Sequence, residues 1–343
     1  MRFFKFFTQE IAIDLGTANT LIIQDDQVVV DEPSIVAIDR RTGEAIAVGK
    51  KAMMMHEKTH GEIKTIRPLK DGVIADFQAA EAMIEGFINM TGTRRKFFNN
   101  LKMVICIPSG ITEVEKRAVF DSAEHVDAKE TYLIHEPMAA ALGIGLNVEE
   151  PIGNMIIDIG GGTTEIAVIA LSGIVCDQSI RVAGDEFTND ITNYMKRQHN
   201  ILIGERTAER IKINVGSALH ELEEPPEDFP VNGRDLMTGI PKQITVSYSE
   251  ISHALDKSIS KVEDAILKAL ENTPPELAAD IYQTGLYLTG GGALLRGLDK
   301  RIAQKTKLQV HVADDPLRAV VRGTGKALKN IDKYTFLIDR KST

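Results

Sequence analysis

The sequence predicts an α/β protein built from two duplicated domains, and three observations carry that expectation. At 343 residues the chain exceeds the roughly 250–300 at which a single core stops growing, so two cores are expected. Two stretches, IAIDLGTANTLII from Ile11 and MIIDIGGGTTEIAVI from Met155, each place an Asp at a strand end, a Gly two residues on and a Thr near the next strand. Their aspartates, Asp14 and Asp158, stand 144 residues apart, which puts one copy near the start of each half. Between the copies, strand-like apolar runs alternate with helical ones.

The elements follow in order. IAIDLGTANTLIIQDDQVVV reads as strand, turn, strand, turn and strand, with Asp25-Asp26 at the second corner. MVICIP from Met103 is a buried strand. TEVEKRAVFDSAEHV is a helix opened by Thr112 with Glu115 three residues on, a capping box that gives Glu113 and Glu115 a structural reason to be there. ETYLI is a further strand, and Pro137 fits the first turn of a helix that should run to about Leu142 and stop before Gly143. Glu136 stands at that helix start, where the dipole favours an acid whatever its role. The same strand end should open into the cleft shared by Asp14 and Asp158. ELEEPPEDFPVNGRD, residues 221–235, is acidic and Pro-rich and reads as a solvated loop.

The three glycines Gly160, Gly161 and Gly162 lead into EIAVIAL, a β-branched apolar run bounded by Ser172-Gly173 with no polar helical face. They should therefore corner a β-hairpin. A dinucleotide loop opens a helix instead, and neither GxxxxGK[ST] nor a correctly placed GxGxxG is present. Such a hairpin has two readings. Positive φ and a missing Cβ can gather backbone N–H groups into an anion nest for phosphate, or glycine can serve turn geometry alone; repetition with an aspartate each time favours the nest. Asp14 and Asp158 likewise suit Mg²⁺, which binds one or two carboxylates plus phosphates and keeps waters, or act as caps for turn N–H groups.

Composition excludes other classes. With 43% hydrophobic and 26% charged residues, no stretch approaches the roughly 20 apolar residues needed to span a bilayer. A net charge of −9 argues against a broad nucleic-acid surface, and no nucleic-acid partner is expected. Cys106 and Cys176 lie in apolar runs with no second ligand at metal spacing, as reduced core residues of a cytoplasmic protein would. The opening MRFFKFFTQE lacks the apolar region and cleavage site of a secretory signal. On a helix it would place Phe3, Phe4 and Phe7 opposite Arg2 and Lys5, as a membrane-surface anchor does; a frayed terminus or a strand packed on the domain is the other reading. TGTRRKFFNN sets Arg94, Arg95 and Lys96 beside Phe97 and Phe98, and the two segments together could form a bipartite contact with anionic lipid at the inner membrane face.

At this point DLGTANT, IPSGITEVEKRA, HEPMAAALGIG, DIGGGTTEIAVI, GERTAERIK and LTGGGALLRGLD stand in the order found in the actin, sugar-kinase and heat-shock-chaperone superfamily. Together they closely resemble the MreB family of bacterial actins from Ile11 to about Lys329. The resemblance implies an actin-like ATPase fold: two α/β domains around a nucleotide cleft, each with a smaller inserted subdomain. Residues 10–31, 67–146 and 328–343 would form subdomain IA and 32–66 subdomain IB. Residues 147–182 and 245–327 would form IIA and 183–244 IIB, with 1–9 a membrane-binding segment and the final helix, near residues 317–330, returning to the first domain.

The resemblance also implies ATP and Mg²⁺ as cofactors. Thr17, Ala18 and Asn19 match the first phosphate loop, and Gly160, Gly161, Gly162 and Thr163 the second. Asp14 and Asp158 match the metal-side aspartates. Glu136 and Thr163 match the pair that orients or activates the attacking water. Glu209, Arg210, Ile211 and Lys212 match residues around the nucleoside, although Glu209 and Lys212 would otherwise read as an i, i+3 surface pair. Gly290, Gly291, Gly292 and Ala293 follow the strand GLYLT, open a helix and match the adenosine loop. His135 departs from the acidic residue more usual beside Glu136. The implied function is a slow ATPase that polymerises with copies of itself at the membrane and, with wall-elongation membrane proteins, maintains rod shape. A small-molecule kinase is the alternative, but no carboxylate base with a polar substrate pocket is evident. A chaperone would add a peptide-binding domain after the ATPase, and none is expected here.

Overall fold

In a computed structural model, residues 8–92, 100–334 and 338–340 are described. The segments holding Arg2, Phe3, Phe4, Lys5 and Phe7, and Arg94, Arg95, Lys96, Phe97 and Phe98, lie outside them. The first half begins with β1 (Thr8–Leu15), β2 (Asn19–Gln24) and β3 (Gln27–Pro33). An insertion follows: β4 (Val36–Asp39), β5 (Ala45–Val48), α1 (Gly49–Met55) and β6 (Ile63–Ile66). A short ribbon, β7 (Leu69–Lys70) and β8 (Val73–Ile74), leads to α2 (Phe77–Met90), β9 (Asn100–Ile107), α3 (Glu113–His125), β10 (Ala128–His135) and α4 (Glu136–Ile144). The second half opens with β11 (Asn154–Ile159), β12 (Thr164–Ala170), β13 (Gly173–Ile180) and α5 (Gly184–Gln198). Then come β14 (Ile201–Leu202), α6 (Glu205–Val215), β15 (Phe229–Asp235) and β16 (Pro241–Val246). The chain closes with α7 (Tyr248–Glu271), α8 (Pro275–Thr284), β17 (Leu286–Thr289), α9 (Leu298–Thr306), β18 (Val310–Val312), α10 (Ala319–Lys329) and β19 (Ile338–Arg340).

The duplication is a fact of topology. One sheet runs β3-β2-β1-β9-β10, with β19 added at its edge, and the other runs β13-β12-β11-β17-β18. In each, an antiparallel three-stranded meander continues into two parallel strands. The Asp25-Asp26 corner has φ of 50° and 65°, the left-handed pair that a tight hairpin between right-twisted strands demands. Thr112 caps α3 through the reciprocal bonds with Glu115 that the sequence predicts. Among the described residues no helix is long and apolar enough to cross a membrane.

Between the two sheets lies an inner layer made of α4 and α10. Pro137 to Leu142 are all buried, and α4 is apolar on every side because it packs on both sheets as well as on α10. Here the structure differs from the expected helix end. Gly143 continues the helix, and Gly145 in the left-handed region (φ 86°) ends it. Gly143 is there for close approach, since a Cβ on it would stand 1.8 Å from the carbonyl oxygen of Ala319 in α10.

Four expected boundaries, 9/10, 31/32, 244/245 and 327/328, fall inside β1, β3, β16 and α10, because no shift of composition marks where one layer hands over to the next. The 221–235 loop also needs correction. Residues 229–235 form β15, with Val231 buried and Gly233 packed so tightly that a Cβ would meet Leu202 O at 2.6 Å. Pairing with β14 and β16 overrides the turn-forming composition.

Candidate functional site

Both glycine hairpins lie at the C-terminal ends of their central parallel strands, and they face each other. A Cβ on Gly161 would stand 2.6 Å from Ala18 Cβ, and one on Gly162 would stand 2.7 Å from Thr17 Oγ1. Close approach, rather than positive φ, is what these glycines supply: none of Gly160, Gly161 and Gly162 has φ above zero. The expected left-handed nest is corrected to this extent. Each loop is fixed from behind. Ser34 Oγ donates to Gly16 O (2.6 Å), Ser34 N to Ala18 O (2.9 Å) and Gly72 N to Thr17 Oγ1 (2.9 Å). In the second loop Gly160 N donates to Thr163 O (2.9 Å). The first amides of α5 donate to the loop carbonyls, Gly184 N to Gly160 O (3.1 Å) and Asp185 N to Gly161 O (2.8 Å).

Acid side chains converge between the loops. Asp14 accepts a hydrogen bond from the Cys106 thiol (3.1 Å), so Cys106, expected to be plain core, also orients this carboxylate. Asp158, only 4% exposed, accepts one from Thr289 Oγ1 (2.7 Å), its register partner in β17. Burial pushes the Asp14 carboxyl up to about 6 and that of Asp158 up to about 7; the Thr289 bond lowers the second, and the Asp14 charge raises it. Glu136 is raised well above the carboxylate range by burial first and then by the charges of Glu165, Asp158 and Asp14. Mutual repulsion among desolvated carboxylates is what a bound dication relieves. Among the described residues no three Asp, Glu, His or Cys side chains are grouped to cage a metal.

These groups line one cleft of about 650 Å³, within the range of small-molecule sites. Asp14, Thr17, Ala18, Asn19, Glu136, Asp158, Gly160, Gly161, Gly162 and Thr163 all reach it, as do Glu209, Arg210, Lys212, Gly290, Gly291 and Gly292. Two predicted residues do not. The side chains of Ile211 and Ala293 are buried in the core of the second half, on the inward faces of α6 and of the 3₁₀ turn Gly291–Leu294. That turn replaces the expected α-helix after β17. Gly290 (φ 80°) and Gly292 pack on Ile159, where added Cβ atoms would come within 2.4 and 2.2 Å.

Glu209 and Lys212 are more than a surface pair. Lys212 Nζ meets Glu209 (2.7 Å) and donates to Gly184 O (2.8 Å) and Thr188 Oγ1 (3.0 Å), tying α6 to the start of α5 under the second loop. The mouth of the cleft is clasped. Glu205 at the start of α6 pairs with Arg67 and with His56 Nε2 (3.3 Å), and its backbone N–H donates to Glu57 Oε1 (3.0 Å). His56, Glu57 and Arg67 belong to the first half, so this clasp opposes opening.

Sequence reasoning passed over Glu165, Asp185, Thr289, Arg67 and Glu205. Two of these left a signal: Glu165 is the single charge in EIAVIAL, and Thr289 ends GLYLT next to the glycines. Arg67 and Glu205 left none, because their pairing spans 138 residues.

Comparison with known proteins agrees with this geometry. The family model described as MreB/Mbl protein matches residues 8–336. The cell shape-determining protein Mbl of Bacillus subtilis is 47% identical over 328 residues, covering 95% of this chain and 98% of the relative. Among solved structures, MreB5 of Spiroplasma citri bound to AMPPNP superposes with a TM-score of 0.89 at 40% identity, covering 96% of this chain and 98% of that one. The MamK double helical filament shares the fold at a TM-score of 0.78 and 21% identity, covering 94% and 99%.

Proposed function

The chain belongs to the MreB/Mbl family, and from that premise we propose that it binds ATP with Mg²⁺ in the cleft, hydrolyses it slowly by in-line attack of water, and polymerises into membrane-associated filaments that maintain cell shape by organising wall synthesis. The observation that carries this reading is the pair of glycine-cornered hairpins meeting at one carboxylate-lined cleft. The backbone amides of residues 17–19 and 161–163 would cradle the β- and γ-phosphates. Glu209, Arg210 and Lys212 would lie on the nucleoside side with Gly290 to Gly292. Asp14 and Asp158 would hold the metal. When bound, Mg²⁺ supplies positive charge to the phosphate oxygens as the bond to the leaving group breaks. Glu136 and Thr163 orient the water.

Self-association draws support from relatives: the Bacillus subtilis protein is named for cell shape, and MamK, of the same fold, is itself a double helical filament. Light scattering on adding Mg-ATP, followed by negative-stain imaging, tests the proposal. Filaments that require nucleotide are expected, and a chain that binds ATP yet stays monomeric at all concentrations would remove the cytoskeletal reading.

Two further outcomes are expected. Mg²⁺ must displace protons from Asp14 and Asp158, whose raised pKa values of about 6 and about 7 place those protons within the neutral range. Metal affinity should therefore weaken as pH falls. Between pH 8 and pH 6 the loss should be about 20-fold, mostly through Asp158, read by titrating Mg²⁺ against a bound fluorescent nucleotide. A flat profile would show that these aspartates are not the ligands. Deleting residues 2–9 should weaken co-sedimentation with anionic vesicles, each basic residue being worth about 1 kcal/mol at such a surface. An unchanged pellet would assign the phenylalanines to packing.

A further inference from the structure

Glu165 is the least expected side chain near the cleft: a carboxylate with 0% exposure near the start of an apolar strand. It stands directly across from Asp158 in the β11–β12 register. Both of its oxygens are used, and they reach different halves of the molecule. Oε2 accepts the backbone N–H of Ser109 (3.1 Å), in the loop from β9 to α3 of the first half. Oε1 accepts the hydroxyl of Ser179 (2.7 Å), on β13 of the second. The two halves touch at this point, since a Cβ on Gly110 would lie 3.2 Å from Ser179 Cβ. Ser109 Oγ is buried with no partner among the described residues, so Glu165 holds this loop through its main chain. The β9–α3 loop starts beside Glu136, since His135, the residue before it, pairs with Ile107 in the β9–β10 register; after burial itself, the charge of Glu165 raises the Glu136 carboxyl more than that of Asp158 or Asp14 does.

Resting on the hydrolytic reading above, we propose that Glu165 is a positioning residue that fastens the β9–α3 loop of the first half to β13 of the second beside Glu136, and that Glu136 reaches its water-orienting place only while this fastening is made. The role is that of a hydrogen-bond acceptor. A glutamine keeps an acceptor oxygen for Ser109 N–H and polar contact with Ser179; an alanine keeps neither.

Single-turnover phosphate release and the affinity for a fluorescent ATP analogue separate the possibilities. Glu165→Ala should release phosphate about 10-fold or more slowly with affinity within about twofold, and Glu165→Gln should stay within about threefold of the unaltered chain in both. Ser179→Ala should cost about threefold in release, and adding it to Glu165→Ala should cost nothing more, because both remove one fastening. If Glu165→Ala does not fold, Glu165→Gln and Ser179→Ala carry the test: normal release in Ser179→Ala overturns the proposal. Glutamine as damaging as alanine overturns it too, since charge rather than acceptance would then matter, and so does full additivity. An unaltered chain that neither binds nor hydrolyses ATP overturns the functional reading and this inference together. Turnover in the unaltered chain matched by Glu165→Ala overturns this inference alone.

Discussion

Glu136→Ala should slow phosphate release about 100-fold, equivalent to about 2.7 kcal/mol of transition-state stabilisation, while leaving nucleotide affinity within about twofold. The asymmetry follows from where the residue stands. Glu136 opens α4 directly after the end of β10, on the same cleft as Asp14 and Asp158. It is not part of either phosphate loop, so ground-state contacts with nucleotide do not depend on it. Its carboxyl is raised by burial and by three neighbouring acids, an environment suited to holding a water by hydrogen bonds rather than to binding an anion. Single-turnover release set beside equilibrium binding decides the matter. Equal losses in both would make Glu136 a binding residue, and an unchanged rate would remove it from the chemistry.

Gly323→Ala should destabilise the protein by about 3 kcal/mol or more, near the upper end of overpacking costs. A Cβ there would lie 1.7 Å from Ala139 O, and the reciprocal position, Gly143, would drive one 1.8 Å from Ala319 O. Both obstacles are backbone, so no rotamer change can relieve them; the helices α4 and α10 have to part. Those helices are the layer on which both sheets pack, with Ala12, Leu21 and Val104 from one side and Ile156, Ala167 and Ile169 from the other. Separation would also shift Glu136. Gly145→Ala provides the contrast: that residue has φ 86° with nothing near its missing Cβ, so only the torsional cost of about 1 kcal/mol applies. Denaturant midpoints for the two variants should differ accordingly, and equal midpoints would refute the account of the helix crossing.

Much of the site was legible from the chain because its signals are local. Asp14 and Asp158 end strands, glycines corner both hairpins, Pro137 starts α4, and Thr112 with Glu115 closes a capping box; each depends on neighbours within a few residues. The reason for the glycines was not legible. Turn conformation and close approach select the same residue, and only the approach of Ala18 and Thr17 to Gly161 and Gly162 tells them apart. Gly143 misled for the same reason, read as a helix stop when it serves a helix crossing. Ile211 and Ala293 came in with motif positions, but which side of α6 and of the 3₁₀ turn faces inward is fixed by the core they pack against.

The sequence by itself determined the duplicated strand–turn–strand units, the cleft carboxylates and the order of the βα elements, because backbone preference and hydrophobic period act over short spans. Tertiary structure alone decided that α4 and α10 meet backbone to backbone between the sheets, that Arg67 and His56 clasp Glu205 across the cleft, and that Glu165 grips both halves. Contacts made between packed layers leave no periodicity or local composition to read, whether the partners stand 138 positions apart, as Arg67 and Glu205 do, or 56, as Glu165 and Ser109 do. They exist only once the layers have packed.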